Sequence, residues 1–156
     1  MQLMKTEPLQ ELVRILLVED NPGDVRLIKE ALKGSQIPSF LTVAEDGQEA
    51  FAILRQGGPL PFDLLPDLIL LDLNLPKKHG CEVLADLKAD PKLNHIPVVI
   101  LTSSRSEEDV RKSYENQASF YITKPADLTQ LVDVVLALDN FWMTFLKLSR
   151  GDKHED

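Results

Sequence analysis

The stretch Leu68–Pro76, LILLDLNLP, contains one carboxylate, Asp72, directly after four large apolar residues. An apolar run without alternation is typical of a strand that is covered on both faces of a parallel sheet. A carboxylate buried inside such a strand would be costly unless a partner compensated its charge. We therefore expect Asp72 to lie at the carboxyl end of this strand, close to partners that other parts of the chain supply.

Short apolar segments alternate with helical patterns along the rest of the chain. The predicted strands are Val13–Asp20, Ser39–Glu45, Asp67–Asp72, Pro97–Thr102 and Ser119–Thr123. The segments between them show apolar residues at helical spacing. This alternation predicts an α/β fold of the (βα)5 type, an open, doubly wound, flavodoxin-like sheet of parallel strands in the order 2-1-3-4-5.

The starts of the predicted helices carry recognisable caps. Asn21 is a good N-cap for the first helix, which Gly34 ends. Asp46 and Glu49 have the spacing of a capping box at the start of the second helix. The third helix is predicted to begin at Cys81, after the turn LNLPKKHG.

Composition limits the classes of function. The 156 residues suffice for one domain, and we expect an N-terminal extension over 1–12, a domain over 13–148 and a flexible tail over 149–156. A net charge of −8 without a basic patch argues against nucleic-acid binding. No apolar run approaches the ~20 residues that span a membrane. The single cysteine, Cys81, cannot form an intramolecular disulfide, which fits a cytoplasmic protein.

Polar residues follow the predicted strands at their carboxyl ends. Glu19 and Asp20 end the first strand, and Asp72 ends the third. Thr102 ends the fourth strand, and Lys124 follows the fifth. Taken singly, such residues are most often helix caps, turn residues or surface lysines. Because the carboxyl ends of parallel strands meet at one edge of the sheet, their joint occurrence predicts a functional site there.

The chemistry of this set favours a metal ion and a phosphoryl group. Three converging carboxylates repel one another unless a cation lies among them, and oxygen ligands with room for water favour Mg²⁺ over zinc. Asp72 is then placed to act as a nucleophile towards an incoming phosphoryl group. The charge on the phosphoryl oxygens would be met by Mg²⁺, Lys124 and the Thr102 hydroxyl.

Four motifs resemble the receiver domain of two-component response regulators, and the resemblance covers roughly Val13–Leu138. They are LLVEDN at 16–21, LILLDLNLP at 68–76, VVILTSS at 98–104 and YITKP at 121–125. The resemblance implies that Asp72 is the phospho-acceptor, that Asp20 binds Mg²⁺ directly and that Glu19 binds it through water. The backbone carbonyl of Asn74 would complete the protein ligands, and Mn²⁺ would be able to substitute for Mg²⁺.

The same resemblance implies a conformational switch. Thr102 would be the hydroxyl that moves towards the phosphoryl group, and Tyr121 the aromatic side chain that changes rotamer with it. The bond between Lys124 and Pro125 is expected to be cis, which would help to hold the lysine in the site. Phosphorylation would then shift the population towards a conformer whose surface at helix four, strand five and helix five is recognised by partners.

A more specific resemblance concerns the class of response regulator. No DNA-binding or enzymatic domain is evident after the fifth strand, which implies a single-domain response regulator. The long loop GGPLPFDLLP before the third strand and a last helix containing NFW resemble the small response regulators paired with phytochromes in cyanobacteria and other bacteria. The implied partner is therefore a sensor histidine kinase, here a bacterial phytochrome.

The last helix carries two apolar stripes, although a surface helix normally shows one. The first stripe, which includes Leu131 and Trp142, is expected to face the sheet. The second stripe either widens the core face within one monomer or forms an association surface, and we favour the latter. The expected assembly is a homodimer through helix four, strand five and helix five. Its predicted interface residues are Val134, Phe141 as the anchor, Phe145 and Leu148.

Other functions compete with this interpretation. A magnesium-dependent phosphatase of the haloacid dehalogenase type would need an acid two residues after its nucleophile, where this chain has Asn74. A nucleotide-binding phosphate loop is excluded because no GxxxxGK[ST] is present. An interaction module that is never phosphorylated would not need the carboxylates and Lys124. We therefore expect a protein that is not an enzyme, beyond promoting its own phosphorylation and dephosphorylation.

Overall fold

The computed structural model describes residues 13–34, 39–56 and 65–102, together with 111, 115, 118, 120–123 and 139–140. Parallel strands form a five-stranded sheet in the order β2-β1-β3-β4-β5, as the sequence predicts. The strands are β1 (Val13–Val18), β2 (Ser39–Ala44), β3 (Leu68–Leu71), β4 (Val98–Thr102) and β5 (Phe120–Thr123). The helices with assigned bounds are α1 (Pro22–Lys33), α2 (Gly47–Gln56) and α3 (Gly80–Ala89). The predicted fold class is therefore confirmed.

Several predicted features lie outside the described residues. They are the terminal segments 1–12 and 149–156, most of the loop before β3, Lys124 and Pro125, and the interface residues Val134, Phe141, Phe145 and Leu148. Of the predicted fourth and fifth helices, the structure describes a few residues with helical backbone, namely Arg111, Glu115, Asp139 and Asn140. Among the described residues, no helix has both the length and the apolar character needed to cross a membrane.

Apolar side chains cover the sheet on both faces, which explains the strands without alternation. One core cluster joins α2 and α3 to alternate residues of the central strands, namely Leu16, Val18, Ile69 and Leu71. The other cluster lies on the opposite face of the sheet and joins α1, through Ile28, to the intervening residues of β1 and β3, namely Ile15, Leu17, Leu68 and Leu70. No residue of β3 is more than 3% exposed. Each fully buried leucine contributes about 1.5–3 kcal/mol, so β3 is a rigid support for the residues that follow it.

Helices α1 and α2 begin at the caps that the sequence predicts. Asn21 Oδ1 accepts a hydrogen bond from the backbone N–H of Asp24 at 3.0 Å. Asp46 Oδ1 accepts one from the N–H of Glu49 at 2.8 Å, and Glu49 Oε1 accepts one from the N–H of Glu45 at 2.6 Å. The glutamate therefore returns to the residue before the N-cap, one position earlier than in a standard capping box.

The amino ends of β1 and β3 are joined by Arg14 and Asp67. The Arg14 N–H donates to Asp67 Oδ2 at 2.9 Å, and the Asp67 N–H donates to the Arg14 carbonyl at 2.7 Å. The guanidinium lies 3.2 Å from Asp67 Oδ1 and also donates to the Leu65 carbonyl. These contacts hold the two central strands together at the edge opposite their carboxyl ends.

Candidate functional site

The carboxyl ends of β1 and β3 lie side by side, because the two strands pair in parallel with Val18 opposite Leu71. Backbone hydrogen bonding continues for one residue beyond each strand. The Glu19 N–H donates to the Ala44 carbonyl at 2.9 Å, and the Asp72 N–H donates to the Val18 carbonyl at 3.1 Å. The sheet itself therefore positions the backbone of both acidic residues.

Three carboxylates converge at this edge. One carboxylate oxygen from each of Glu19, Asp20 and Asp72 lies within 4.8 Å of the others. Glu19 and Asp72 are only 1% and 4% exposed, whereas Asp20 is exposed and opens the cluster to solvent. Three like charges this close favour a bound cation, and carboxylate oxygens on a solvent-facing site suit Mg²⁺ or Mn²⁺.

Backbone N–H groups orient the two buried carboxylates. The Asn21 N–H donates to Glu19 Oε2 at 3.1 Å, and the Asn74 N–H donates to Asp72 Oδ1 at 3.2 Å. The second contact has the pattern of an Asx-turn, in which a carboxylate accepts from the residue two positions later. Asn74 therefore lies beside Asp72, and its N–H restricts the rotation of that carboxylate.

Helix α3 begins against the backbone that follows β3. Its first residue is Gly80, one residue earlier than predicted, and the Gly80 N–H donates to the Leu73 carbonyl at 2.8 Å. A Cβ added at Gly80 would overlap the Asp72 carbonyl oxygen and would lie 2.5 Å from Leu73 Cα. Glycine is required here by this close approach of two backbones.

His79 is the N-cap of α3. Its Nδ1 accepts a hydrogen bond from the Cys81 N–H at 3.0 Å. The sequence predicts that His79 belongs to the turn LNLPKKHG, and imidazole is not among the side chains that usually cap helices. The one available signal was the position of His79 directly before the helical pattern.

The loop between β3 and α3 is also tied to α2. Lys77 has a φ of 69°, a left-handed conformation that is uncommon for a residue with a side chain. Its ammonium lies 3.3 Å from Asp46 Oδ2. The hydrogen bond from the backbone N–H of Glu49 lowers the pKa of Asp46, and Lys77 lowers it further, against an opposing effect of burial. No sequence signal pairs Lys77 with Asp46, because only packing brings the loop to α2.

This pKa shift predicts a pH-dependent effect of Asp46→Asn. At about pH 7 we expect the free energy of unfolding to fall by about 0.5–1 kcal/mol, because the amide keeps the cap but loses the charge. Because the pKa of Asp46 is lower in the folded chain than the 3.8 of the unfolded chain, its charge stabilises the fold at pH values above 3.8. This stabilisation is lost as the pH falls through the pKa of Asp46 in the folded chain. Urea unfolding of both chains should show the difference at about pH 7 and its progressive loss as the pH is lowered below 3.8. A difference independent of pH would contradict the prediction.

The remaining predicted site residues belong to β4, β5 and the segment after them. Thr102 is the last residue of β4 and pairs with Thr123, the last residue of β5. Tyr121 lies within β5, paired with Ile100. The ends of β4 and β5 therefore continue the edge at which the carboxylates meet, and Lys124 follows directly in the sequence.

Comparison with known proteins gives consistent matches over most of the chain. The profile of a family described as the response regulator receiver domain matches residues 15–136. Response regulator Rcp1 of Synechocystis is 48% identical over 134 residues, which are 86% of this chain and 91% of that protein.

Two solved structures extend the comparison to the fold. The phosphorylated cyanobacterial phytochrome response regulator RcpA is 50% identical with a TM-score of 0.77, and the match covers 86% of this chain and 96% of that one. The Mn²⁺-bound form of Rcp1 is 48% identical with a TM-score of 0.74, over 83% of this chain and 94% of that one. The phosphoryl group and the metal are features of those two proteins.

Proposed function

The chain belongs to the response regulator receiver domain family, and on that premise we propose that Asp72 is the residue that accepts the phosphoryl group. As a member of this family the chain is a phosphoryl-accepting signalling domain, and its partner is a sensor kinase. The observation that carries the assignment is the convergence of Glu19, Asp20 and Asp72 within 4.8 Å at the carboxyl edge of the sheet.

The donor set of this edge suits a divalent cation. Mg²⁺, for which Mn²⁺ can substitute, would be held by Asp20 and Asp72 directly, by Glu19 through water and by the carbonyl of Asn74. When bound, it supplies positive charge to the phosphoryl oxygens. The similarity to the Mn²⁺-bound form of Rcp1 supports this proposal.

The chain would promote two reactions at Asp72: its phosphorylation by nucleophilic attack and its dephosphorylation by hydrolysis. A carboxylate oxygen of Asp72 attacks the phosphorus of a phosphohistidine, the P–N bond breaks, and its electron pair returns to the imidazole of the kinase. Water later attacks the phosphorus, the P–O bond to Asp72 breaks, and inorganic phosphate and the carboxylate are released. The orientation of Asp72 by the Asn74 N–H supports this role because it limits the carboxylate to few rotamers.

Thr102, Tyr121 and Lys124 would convert phosphorylation into a change of surface. The Thr102 hydroxyl and the Lys124 ammonium would bind the phosphoryl oxygens. Tyr121 would change rotamer when Thr102 moves, and a cis bond before Pro125 would hold Lys124 in the site. The support from the structure is the pairing of Thr102 with Thr123, which places the ends of β4 and β5 next to each other. The added charge then favours the conformer in which these groups approach it.

The proposed kinase is a phytochrome, a choice supported by the similarity to RcpA. We expect a phosphorylated bacterial phytochrome to transfer its phosphoryl group at least about tenfold faster than an unrelated histidine kinase. Loss of radiolabel from each kinase and its appearance on this chain measure the two rates, with Asp72→Asn as the acceptor that should stay unlabelled. Equal rates from both kinases would contradict the choice of partner without affecting the assignment of Asp72.

A cytoplasmic location is part of the proposal and fits the single, buried Cys81.

The proposed homodimer uses helix four, strand five and helix five, with Phe141 as its anchor. Its support is the second apolar stripe in the sequence, formed with Val134, Phe145 and Leu148. We expect a dimeric mass in analytical ultracentrifugation for the parent chain and a monomeric mass for Phe141→Asp, because a buried carboxylate would oppose association. A monomeric parent chain, with and without phosphorylation, would contradict the prediction.

A further inference from the structure

The N-cap of α3 is the feature that the proposed function leaves unexplained. His79 Nδ1 accepts the Cys81 N–H at 3.0 Å, so this nitrogen carries no proton when the cap is formed. The Gly80 N–H donates to the Leu73 carbonyl, and Gly80 approaches the Asp72 backbone so closely that an added Cβ would overlap the Asp72 carbonyl oxygen. Gly80 therefore connects the cap to the phospho-acceptor, because it follows His79 in the chain and packs against the backbone of Asp72.

Protonation of His79 would remove this cap. An imidazolium has a donor at both ring nitrogens and cannot accept the Cys81 N–H. Its positive charge would also lie at the positive end of the helix dipole of α3, which is unfavourable. An aspartate or asparagine cap would not respond in this way over the neutral range, since imidazole is the side chain whose unperturbed titration falls between about pH 5 and about pH 8.

Other charged groups lie on the segments next to the cap in the described part of the chain. They are Glu82 and Asp86 of α3, Lys77 and Lys78 of the preceding loop, Asp46 at the start of α2, and Asp72 after β3. Lys78 is paired with Asp86, and Lys77 with Asp46. Of these groups, Asp46 has a lowered pKa, because the backbone N–H of Glu49 donates to its carboxylate and Lys77 lies beside it. A pH dependence that the parent chain shows and that disappears when asparagine replaces His79 reports on this imidazole, because the other charged groups are the same in both chains.

We propose that His79 is a positioning residue for the phospho-acceptor: in its neutral form it caps α3, and the capped helix holds Gly80 against the backbone of Asp72 and Leu73. When the imidazole is protonated, the first turn of α3 frays and Asp72 is held less well. Metal binding and phosphorylation at Asp72 then weaken as the pH falls. This inference rests on the proposed function of Asp72, but its first readout needs only the metal.

Four full-length chains test the proposal: the parent, His79→Asn, His79→Ala and His95→Asn. Asparagine is a good N-cap that does not titrate, so His79→Asn should restore the cap at every pH. His95 is exposed in the turn after α3 and serves as the matched control for the loss of one imidazole. Calorimetry measures the dissociation constant of Mg²⁺ at about pH 8 and about pH 5.5, and NMR measures the hydrogen-exchange protection of the Cys81 amide.

Between the two pH values, the parent and His95→Asn should lose about three- to tenfold more Mg²⁺ affinity than His79→Asn. The reason is that an N-cap stabilises its helix by a free energy of this order, and the carboxylate cluster depends on the position of α3. His79→Ala should bind about fivefold more weakly than the parent already at about pH 8, with low Cys81 protection throughout. An unchanged pH profile in His79→Asn would overturn the proposal, and so would parent-like binding by His79→Ala at about pH 8. If His79→Ala does not fold, the comparison of the parent with His79→Asn still shows whether the pH dependence of Mg²⁺ affinity depends on His79.

A separate measurement distinguishes this proposal from the function on which it rests. Incubation of the four chains with acetyl phosphate and Mg²⁺ at about pH 8 tests phosphorylation itself. A parent chain that gains no phosphoryl group refutes the assignment of Asp72, whereas the Mg²⁺ profiles still decide whether His79 positions the carboxylate cluster.

Discussion

Asp72→Asn is expected to gain no phosphoryl group from acetyl phosphate and Mg²⁺, whereas the parent chain gains the mass of one. The physical reason is that a carboxylate oxygen forms an acyl phosphate, whereas a neutral amide is too weak a nucleophile to do so. Intact mass spectrometry measures the result directly. The Mg²⁺ affinity of the variant should also fall by about tenfold or more, because one of three converging carboxylates has lost its charge.

The fold of Asp72→Asn should survive, since the amide oxygen has nearly the same position and can still accept the Asn74 N–H. Asp86→Asn is the matched control: it removes an exposed carboxylate on α3 that is paired with Lys78. We expect it to be phosphorylated like the parent. An adduct that persists undiminished in Asp72→Asn would show that another side chain accepts the phosphoryl group.

Gly80→Ala is expected to destabilise the fold by about 2–4 kcal/mol in the free energy of unfolding. The new Cβ would overlap the Asp72 carbonyl oxygen and approach Leu73 Cα to 2.5 Å, and both are backbone atoms that cannot move aside alone. Helix α3 or the segment after β3 must shift, so that Mg²⁺ binding and phosphorylation should weaken together with stability. Urea unfolding and calorimetric titration with Mg²⁺ measure the two effects.

Gly34→Ala is the control that separates a general effect of glycine replacement from this contact. A Cβ at Gly34 would lie 3.5 Å from the Ala31 carbonyl oxygen, which is an ordinary contact, and its φ of −88° suits alanine. We expect its stability to be unchanged or raised by about 0.5 kcal/mol, because alanine restricts the unfolded chain. A Gly80→Ala protein as stable as Gly34→Ala would refute the close approach of α3 to the phospho-acceptor segment.

Much of the fold was predictable because its signals are local. The run Leu68–Leu71 lacks alternation, and this alone indicates a strand with both faces covered. Asn21 and Asp46 form the predicted caps because their side chains act on N–H groups within three residues of themselves. Right-handed crossovers leave few arrangements for five alternating strands and helices, and the predicted strand order is a common one among them. The candidate site was predictable for the same reason, since parallel strands bring their carboxyl ends to one edge.

The sequence by itself therefore determined the alternation of strands and helices, the caps of α1 and α2, and the acidic residues that follow β1 and β3. Only the tertiary structure decided the contacts between elements that are distant in the chain. Asp46 pairs with Lys77, Arg14 pairs with Asp67, and α3 begins one residue early with Gly80 on the backbone of Asp72. The physical reason is that periodicity and capping act over one or two turns, whereas the fit of α3 against the end of β3 depends on how the buried faces pack. That packing gives Asp72 its immediate neighbours on α3.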